Sequence, residues 1–316
     1  MKKTILITGG SGFLGRNLAL KLKNHYIVFL GSRNKKQNFQ ASKITGCEAV
    51  PLDVSNIESV RDVIKYTKPD IIIHAAATKF VDLSEKQPLE TIDVNVLGSQ
   101  NVARVAIEAG VEFVLGISTD KSCPPIRNIY GLSKATMERL FCLLNGRGNT
   151  KFACLRYGNV AWSTGSVLPI WKKMHEETGK LGTTGPEMRR FFFTIDQAVQ
   201  LVETAITNKD SIQGQILSRV MKSAQIEDIL NIWVKTFGGN WERIEGRPGE
   251  RDDEYLVGET ELAYCKELEF NGIKHFLINP NTKVDKPYPA IFTSKEAERL
   301  SEDEIVEILK AQPDIL

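Results

Sequence analysis

The sequence predicts an α/β protein: a doubly wound parallel sheet with a smaller lobe interleaved into it. Three observations carry this. Short β-branched apolar runs alternate with helical patterns through the first half, a glycine-rich turn closes the first run, and after about Gly158 the alternation gives way to Gly- and Pro-rich stretches. In order, Thr4–Thr8, Tyr26–Leu30, Ala49–Leu52, Ile71–Ala76, Phe113–Ser118 and Phe152–Arg156 read as buried strands, mostly bounded by Gly, Pro, Asn or Asp. Between them Phe13–Lys23, Ile57–Thr67, Glu90–Ala109 and Ile129–Leu144 carry helical spacing. Strand–helix–strand repeats place the strands parallel, and ligands of such sheets sit outside the strands' carboxyl ends.

In the second half Gly and Pro concentrate in Gly179–Pro186 and Gly246–Gly249, and helices are expected at Asp196–Ile206, Ile226–Thr236 and Ser294–Leu309. A chain of 316 residues exceeds the usual size of one core. The expected division is a first domain over 1–158, with returning segments about 190–218, and a second lobe made of 159–189 and 219–316. No clean linker, internal repeat or low-complexity tract interrupts it.

Composition excludes several classes. A formal charge of +2 is too small for a phosphate-backbone surface, so no nucleic acid is expected. The cysteines Cys47, Cys123, Cys142, Cys154 and Cys265 form no C-x-x-C pair, and the four histidines are scattered, so neither a disulfide framework nor a bound metal is expected. Met1-Lys2-Lys3 leads directly into a strand, and no run approaches the ~20 apolar residues that span a bilayer. A soluble, cytoplasmic protein is the expectation.

Four motifs carry chemistry. Gly9-Gly10-Ser11-Gly12-Phe13-Leu14-Gly15 follows a strand and opens a helix, the context of a Rossmann-type dinucleotide turn, with the helix N-terminus favouring a pyrophosphate. The second strand runs into Ser32-Arg33-Asn34-Lys35-Lys36; Arg33 suits the 2′-phosphate of NADP where an acidic residue would select NAD, which stays open. Asp53 can accept from an adenine amino group or simply cap a turn. Tyr130 and Lys134 share a helix face, and a nearby ammonium with the positive nicotinamide would depress the phenol into a base for hydride transfer. Asp120-Lys121, at the end of the fifth strand, adds a second acid and base. After oxidation at C4 of a sugar, Lys121 could remove the C5 proton and Asp120 could protonate the departing C6 hydroxyl, with hydride returning to C6.

The ordered set of motifs is similar to that of the extended short-chain dehydrogenases/reductases, and within them resembles the nucleotide-sugar 4,6-dehydratases that act on UDP-N-acetylglucosamine or its relatives in polysaccharide biosynthesis. Nearly the whole chain takes part: Ile7–Gly12, Ser32-Arg33, His74–Lys79, Ser118–Lys121, Tyr130–Lys134, Arg156–Val160, Gly165–Val167, Pro186–Phe191 and Arg247–Glu250. The resemblance implies cofactor contacts at the loop residues Gly9, Ser11, Gly12, Phe13, Leu14 and Gly15. It implies others at Ser32, Arg33, Lys36, Asp53, Val54, Ala75, Ala76, Lys79, Ser118, Tyr130, Lys134 and Val160. Thr119 would touch the sugar. Lys79, Asn159, Gly165, Ser166, Val167 and Leu168 would hold sugar and nucleotide, with Arg190 beside them, Arg247 facing diphosphate and Glu250 a nucleotide hydroxyl.

Departures are equally specific. Trp162-Ser163-Thr164 replaces a usual Gly-Ser-Arg, which loses a positive charge and puts a bulky ring near the expected substrate cleft. Phe80 stands where a histidine is common, Arg251-Asp252-Asp253-Glu254 lacks the usual histidine, and a residue is inserted between Asp120 and Tyr130. GDP or another nucleotide therefore stays open. Rival readings share most of these residues: a 4-epimerase or C4 oxidoreductase needs no Asp120-Lys121, a 5,6-dehydratase stops before hydride return, and a non-catalytic NADP-sensing protein would need no Tyr-Lys pair. A homo-oligomer is expected, with Glu90–Ala109 and Ile129–Leu144 able to pair with a second copy, although packing within the chain explains their apolar faces equally.

Overall fold

In the computed structural model, which describes residues 2–246 and 250–312, the first-half runs become six strands: β1 (Thr4–Thr8), β2 (Ile27–Ser32), β3 (Glu48–Pro51), β4 (Ile71–His74), β5 (Phe113–Ile117) and β6 (Lys151–Leu155). They lie parallel in the order β3-β2-β1-β4-β5-β6. Ile5, Ile7, Ile72, Val114 and Phe152 are fully buried. Helices cover both faces of the sheet, so its strands read as continuous apolar runs rather than alternating ones. The order reverses between β1 and β4, and a crevice opens there at the strands' carboxyl ends.

The helices are α1 (Phe13–Leu22), α2 (Lys35–Thr45), α3 (Ile57–Thr67), α4 (Val81–Lys86), α5 (Pro88–Ile92), α6 (Gly98–Ala109) and α7 (Ile129–Leu144). Two depart from expectation. The basic stretch after Arg33 is α2, started by the Asn34 side chain, which accepts from the Gln37 N–H at 3.0 Å. The single helix expected over Glu90–Ala109 is α5, a π-turn at Asp93–Leu97, and α6.

The sheet grows to nine strands. Ile216–Arg219 adds parallel to β6, then Ile273–Ile278 and Cys265–Phe270 follow as an antiparallel edge. The boundaries expected from sequence put all of 219–316 in the second lobe, so Cys265–Ile278 is a correction. Its signal was the Asn271-Gly272 turn, both residues with positive φ (52° and 74°), flanked by an edge strand whose Lys266, Glu267 and Glu269 face solvent.

The second lobe has its own core. Trp162 and Trp171 pack on Trp233 with ring centroids 6.2 and 6.3 Å apart, together with Leu168, Ile229 and Leu309. The helix expected over Ser294–Leu309 shortens to Glu302–Lys310, begun by a Ser301/Glu304 capping box. The residues before it are drawn into other pairings: Phe292–Thr293 is antiparallel to Tyr255–Val257, and the Ser294 carbonyl accepts from Ser223 Oγ at 2.6 Å. Among the described residues no helix is long and apolar enough to cross a membrane.

Candidate active site

The crevice is a cleft of about 1160 Å³ lined from the glycine loop, past the ends of β4 and β5, to the second lobe. At its first end the backbone does most of the shaping. Gly9 has φ +70°, and a Cβ there would fall 2.8 Å from the Ala76 nitrogen, so only glycine lets the loop lie against the end of β4. Helix α1 starts at Gly12 with no side-chain cap, leaving its first N–H groups for a ligand. Ser32 Oγ donates to Ser11 Oγ at 2.7 Å, and Asn38 on α2 donates to the Ser32 carbonyl at 2.7 Å. His74, buried between the hydroxyls of Thr8 (2.8 Å) and Ser99 (3.0 Å), is pushed down to about 3 by burial, Lys134 adding to the effect, and is neutral.

Of the expected cofactor residues, Gly9, Ser11, Gly12, Phe13, Leu14, Gly15, Ser32, Arg33, Val54, Ala75, Ala76, Lys79, Ser118, Tyr130, Lys134 and Val160 line the cleft. Lys36 and Asp53 do not. Lys36 lies in the first turn of α2, and Asp53 Oδ1 accepts from the Ser55 N–H and hydroxyl at 3.0 and 2.7 Å, holding its own turn. Arg33 lies 3.5 Å from Glu90 in a half-exposed pair, an interaction worth no more than about 1 kcal/mol.

At the other end side chains dominate. Thr119 Oγ1 and Lys121 Nζ both donate to Asp120 Oδ1, each at 3.0 Å, and Lys121 Nζ also lies 3.5 Å from Glu254 Oε1. The Asp120 N–H donates to the Tyr157 carbonyl at 2.9 Å, which pins the turn to the chain leaving β6. Helix α7 docks straight onto it: a Cβ at Gly131 would stand 2.2 Å from the Lys121 carbonyl. Behind the turn, Ser122 Oγ donates to Glu138 at 2.8 Å, and Glu138 and Glu261 grip the fully buried Arg156 at 2.7 and 2.8 Å. Asn95 in the π-turn accepts from the Thr78 N–H at 2.8 Å and donates to the Thr78 carbonyl at 2.9 Å and to Ser133 at 3.0 Å, locking the Lys79 loop to α7.

Thr119, Lys121, Tyr130 and Lys134 reach the cleft wall; Asp120 does not. Its side chain is fully buried, and Oδ2 has no hydrogen-bond partner among the described residues. Burial raises the Tyr130 phenol to about 12, against the pull of the Lys121 ammonium and a Thr119 hydrogen bond. Lys134 is itself pushed down to about 8 by burial. For Lys121 burial favours the neutral amine, but the Asp120 and Glu254 carboxylates outweigh it, Arg190 opposing them, and the group is held as an ammonium above its ordinary range. It is not a ready-made base.

On the second-lobe side Asn159, Gly165, Ser166, Val167, Leu168, Arg190 and Glu250 line the cleft, and Glu250 accepts from Thr184 Oγ1 at 2.9 Å. Arg247 lies outside the described residues. Phe80 closes onto Gly165, where a Cβ would meet its ring at 2.2 Å, and Lys79 Nζ sits 5.6 Å over the same ring. Trp162 is not at the cleft: with φ +60° it turns into the second-lobe core and donates from Nε1 to the Ile308 carbonyl at 2.7 Å. Sequence reasoning missed Asn38, Asn95 and Glu254 as site-forming residues. Glu254, four residues past Glu250, was visible only as part of an acidic run.

The chain matches the family model described as polysaccharide biosynthesis protein over residues 5–274. It is 32% identical to a UDP-N-acetylglucosamine 4,6-dehydratase (inverting) of Campylobacter jejuni, over 90% of this chain and 85% of that one. It is 33% identical to a UDP-glucose 4-epimerase of Rickettsia bellii, over 97% and 95%. Among solved structures, Pen from Bacillus thuringiensis superposes with a TM-score of 0.89 at 27% identity, covering 98% of each chain.

Proposed function

We propose a specific chemistry for this chain, which belongs to the polysaccharide biosynthesis protein family: removal of water from a nucleotide-linked hexosamine, UDP-N-acetylglucosamine or a close relative, to give a 6-deoxy-4-keto sugar nucleotide. One observation carries the reading. Thr119-Asp120-Lys121 and Tyr130 meet at the carboxyl end of β5 with Lys121 and Tyr130 both on the cleft wall, two separate proton-handling groups where an epimerase needs one. The relatives named as 4,6-dehydratases support the substrate class.

The cleft's first end fits a nicotinamide dinucleotide, preferably NADP. The uncapped N-terminus of α1 and the glycine-rich loop at Gly9–Gly12 leave room and N–H groups for a pyrophosphate, while Ser32 and Arg33 edge the wall where a 2′-phosphate would lie. Bound there, such a cofactor would supply hydride exchange with the sugar.

Tyr130 takes the proton of the C4 hydroxyl, with Lys134 as the cation beside it; entry of positive charge next to the phenol is what lowers it from about 12. Lys121 then hands a proton across the 3.0 Å contact to Asp120, and ammonium plus carboxylate become amine plus acid. The amine removes the C5 proton. Because Asp120 is off the wall, its proton reaches the departing C6 hydroxyl through Thr119, whose hydroxyl donates to Asp120 at 3.0 Å and lines the cleft. Water leaves; as hydride returns to C6 the Lys121 ammonium gives C5 a proton, and the proton that Tyr130 took from the C4 hydroxyl passes through solvent to Lys121, so every group on the chain ends as it began.

Turnover of a panel of UDP-, GDP- and dTDP-hexoses, read by mass spectrometry, tests the reading. Loss of one water from a UDP-hexosamine without added reductant is the expected result. An isomer of unchanged mass would instead establish the epimerase reading that the Rickettsia relatives favour.

A further inference from the structure

The elimination centre contains a carboxylate that no motif announced. Glu254 closes the acidic run Asp252-Asp253-Glu254 just before the strand Tyr255–Val257, and its N–H donates to Ser294 Oγ at 3.1 Å. Its side chain is only 5% exposed yet lines the cleft, whereas Asp120 does not. Oε1 stands 3.5 Å from Lys121 Nζ and 4.0 Å from Arg190 Nε. Oε2 is buried with no hydrogen-bond partner among the described residues. A buried carboxylate oxygen left unpaired is costly, so something at this site offsets it. The ammonium between two carboxylates, on a wall facing open space, is that something.

We propose that Glu254 is a positioning residue of the elimination centre: its Oε1 and Asp120 Oδ1 clamp the Lys121 ammonium from opposite sides and aim it into the cleft. The clamp joins two distant segments of chain, the turn after β5 and the segment leading to Tyr255–Val257, so Lys121 has one position rather than the several its long stem allows. The charged and titratable groups facing Lys121 are Asp120 on its own turn, Tyr130 on α7, Arg190 on the strand Arg189–Phe193, and Glu254. Of these only Asp120 and Glu254 hold the ammonium; Arg190 opposes it. This inference rests on the dehydratase reading for its consequence in catalysis, but the clamp itself can be measured without substrate.

The experiment labels lysines of the intact chain with a lysine-directed acylating reagent at about pH 8.5, with peptide mass spectrometry reading the labelling rate of Lys121 and, as internal control, of the exposed Lys274. Glu254→Gln removes one carboxylate from the clamp, and the Lys121 labelling rate is expected to rise about tenfold or more while that of Lys274 is unmoved. Glu254→Asp keeps the charge at shorter reach. Its Lys121 labelling rate is expected near the parent's, while elimination slows about tenfold in kcat with little change in KM, as for a misplaced group rather than a lost contact to substrate. An unchanged Lys121 labelling rate in Glu254→Gln overturns the proposal. So does a Glu254→Asp variant whose kcat equals the parent's, which also decides the matter where Glu254→Gln fails to fold. If the parent eliminates water from no sugar nucleotide, the dehydratase reading fails while the labelling result still stands or falls on its own.

Discussion

The two ends of the cleft are built by different means. At the glycine loop the backbone makes the surface: Gly9 lies on β4's end, α1 presents uncapped N–H groups, and the polar side chains there, Ser11, Ser32, Asn38 and His74, are bonded to one another or to the chain. At the other end the surface is side chains from separate segments, Lys121, Tyr130, Arg190 and Glu254, and the two carboxylates around Lys121 each keep one buried oxygen without a hydrogen-bond partner among the described residues. A backbone-built end can hold a ligand common to many proteins with few side-chain requirements. A side-chain-built end carries unsatisfied polarity that a reacting substrate can relieve, and chemistry concentrates there.

This contrast predicts a graded set of effects. The largest belongs to the side-chain end: Tyr130→Phe should reduce the first hydride transfer by about 10²–10⁴-fold, read as single-turnover absorbance of reduced nicotinamide, while cofactor affinity stays near that of the parent. Equal losses in both would erase the distinction between the ends.

A pH effect belongs to the backbone-built end. The unfolded His74 imidazole binds a proton below its ordinary 6.5, the folded one only near about 3. Between those values the unfolded chain carries more protons, so stability falls as pH drops through the window and is intact above it. Acidifying from pH 7 to 4 should cost about 3 kcal/mol from this group, and His74→Gln should flatten that part of a denaturant-midpoint series against pH.

Smaller still, Gly131→Ala places a methyl group against the Lys121 carbonyl and should destabilise by about 1–3 kcal/mol, seen as a lower Tm, with catalysis disturbed more than cofactor binding because the Asp120-Lys121 turn is what moves. Arg33→Ala should be the mildest, narrowing a preference for NADP over NAD by about tenfold in calorimetry, the worth of one charge-assisted hydrogen bond. No change there would leave the choice of cofactor to other residues.

Legibility followed the same division. The six parallel strands, the glycine loop and α7 stood out because each depends on local pattern: continuous apolar runs for a sheet covered on both faces, small residues where backbone must pass backbone, and helical spacing around Tyr130 and Lys134. The edge hairpin Cys265–Ile278 was missed because its charged outer face masks an apolar one, although Asn271-Gly272 marked the turn. Trp162 was placed at the cleft from its neighbours in sequence; its left-handed backbone sends the ring the other way, into the second core. Glu254 and Asn95 could not be read at all, since their importance lies in partners far along the chain, Lys121 and Ser133. The charge state of Lys121 was only half legible: its neighbour Asp120 holds the ammonium most strongly, but the second carboxylate, Glu254, is a tertiary contact.

Following hydrogen through the reaction tests the central claim most directly. A UDP-hexosamine deuterated at C4, turned over in ordinary water, should give a product carrying that deuterium in its C6 methyl group, and unlabelled substrate turned over in heavy water should gain deuterium at C5, because Lys121 exchanges that proton with solvent. Deuterium retained at C4 of an isomeric sugar, with no water lost, would contradict the account.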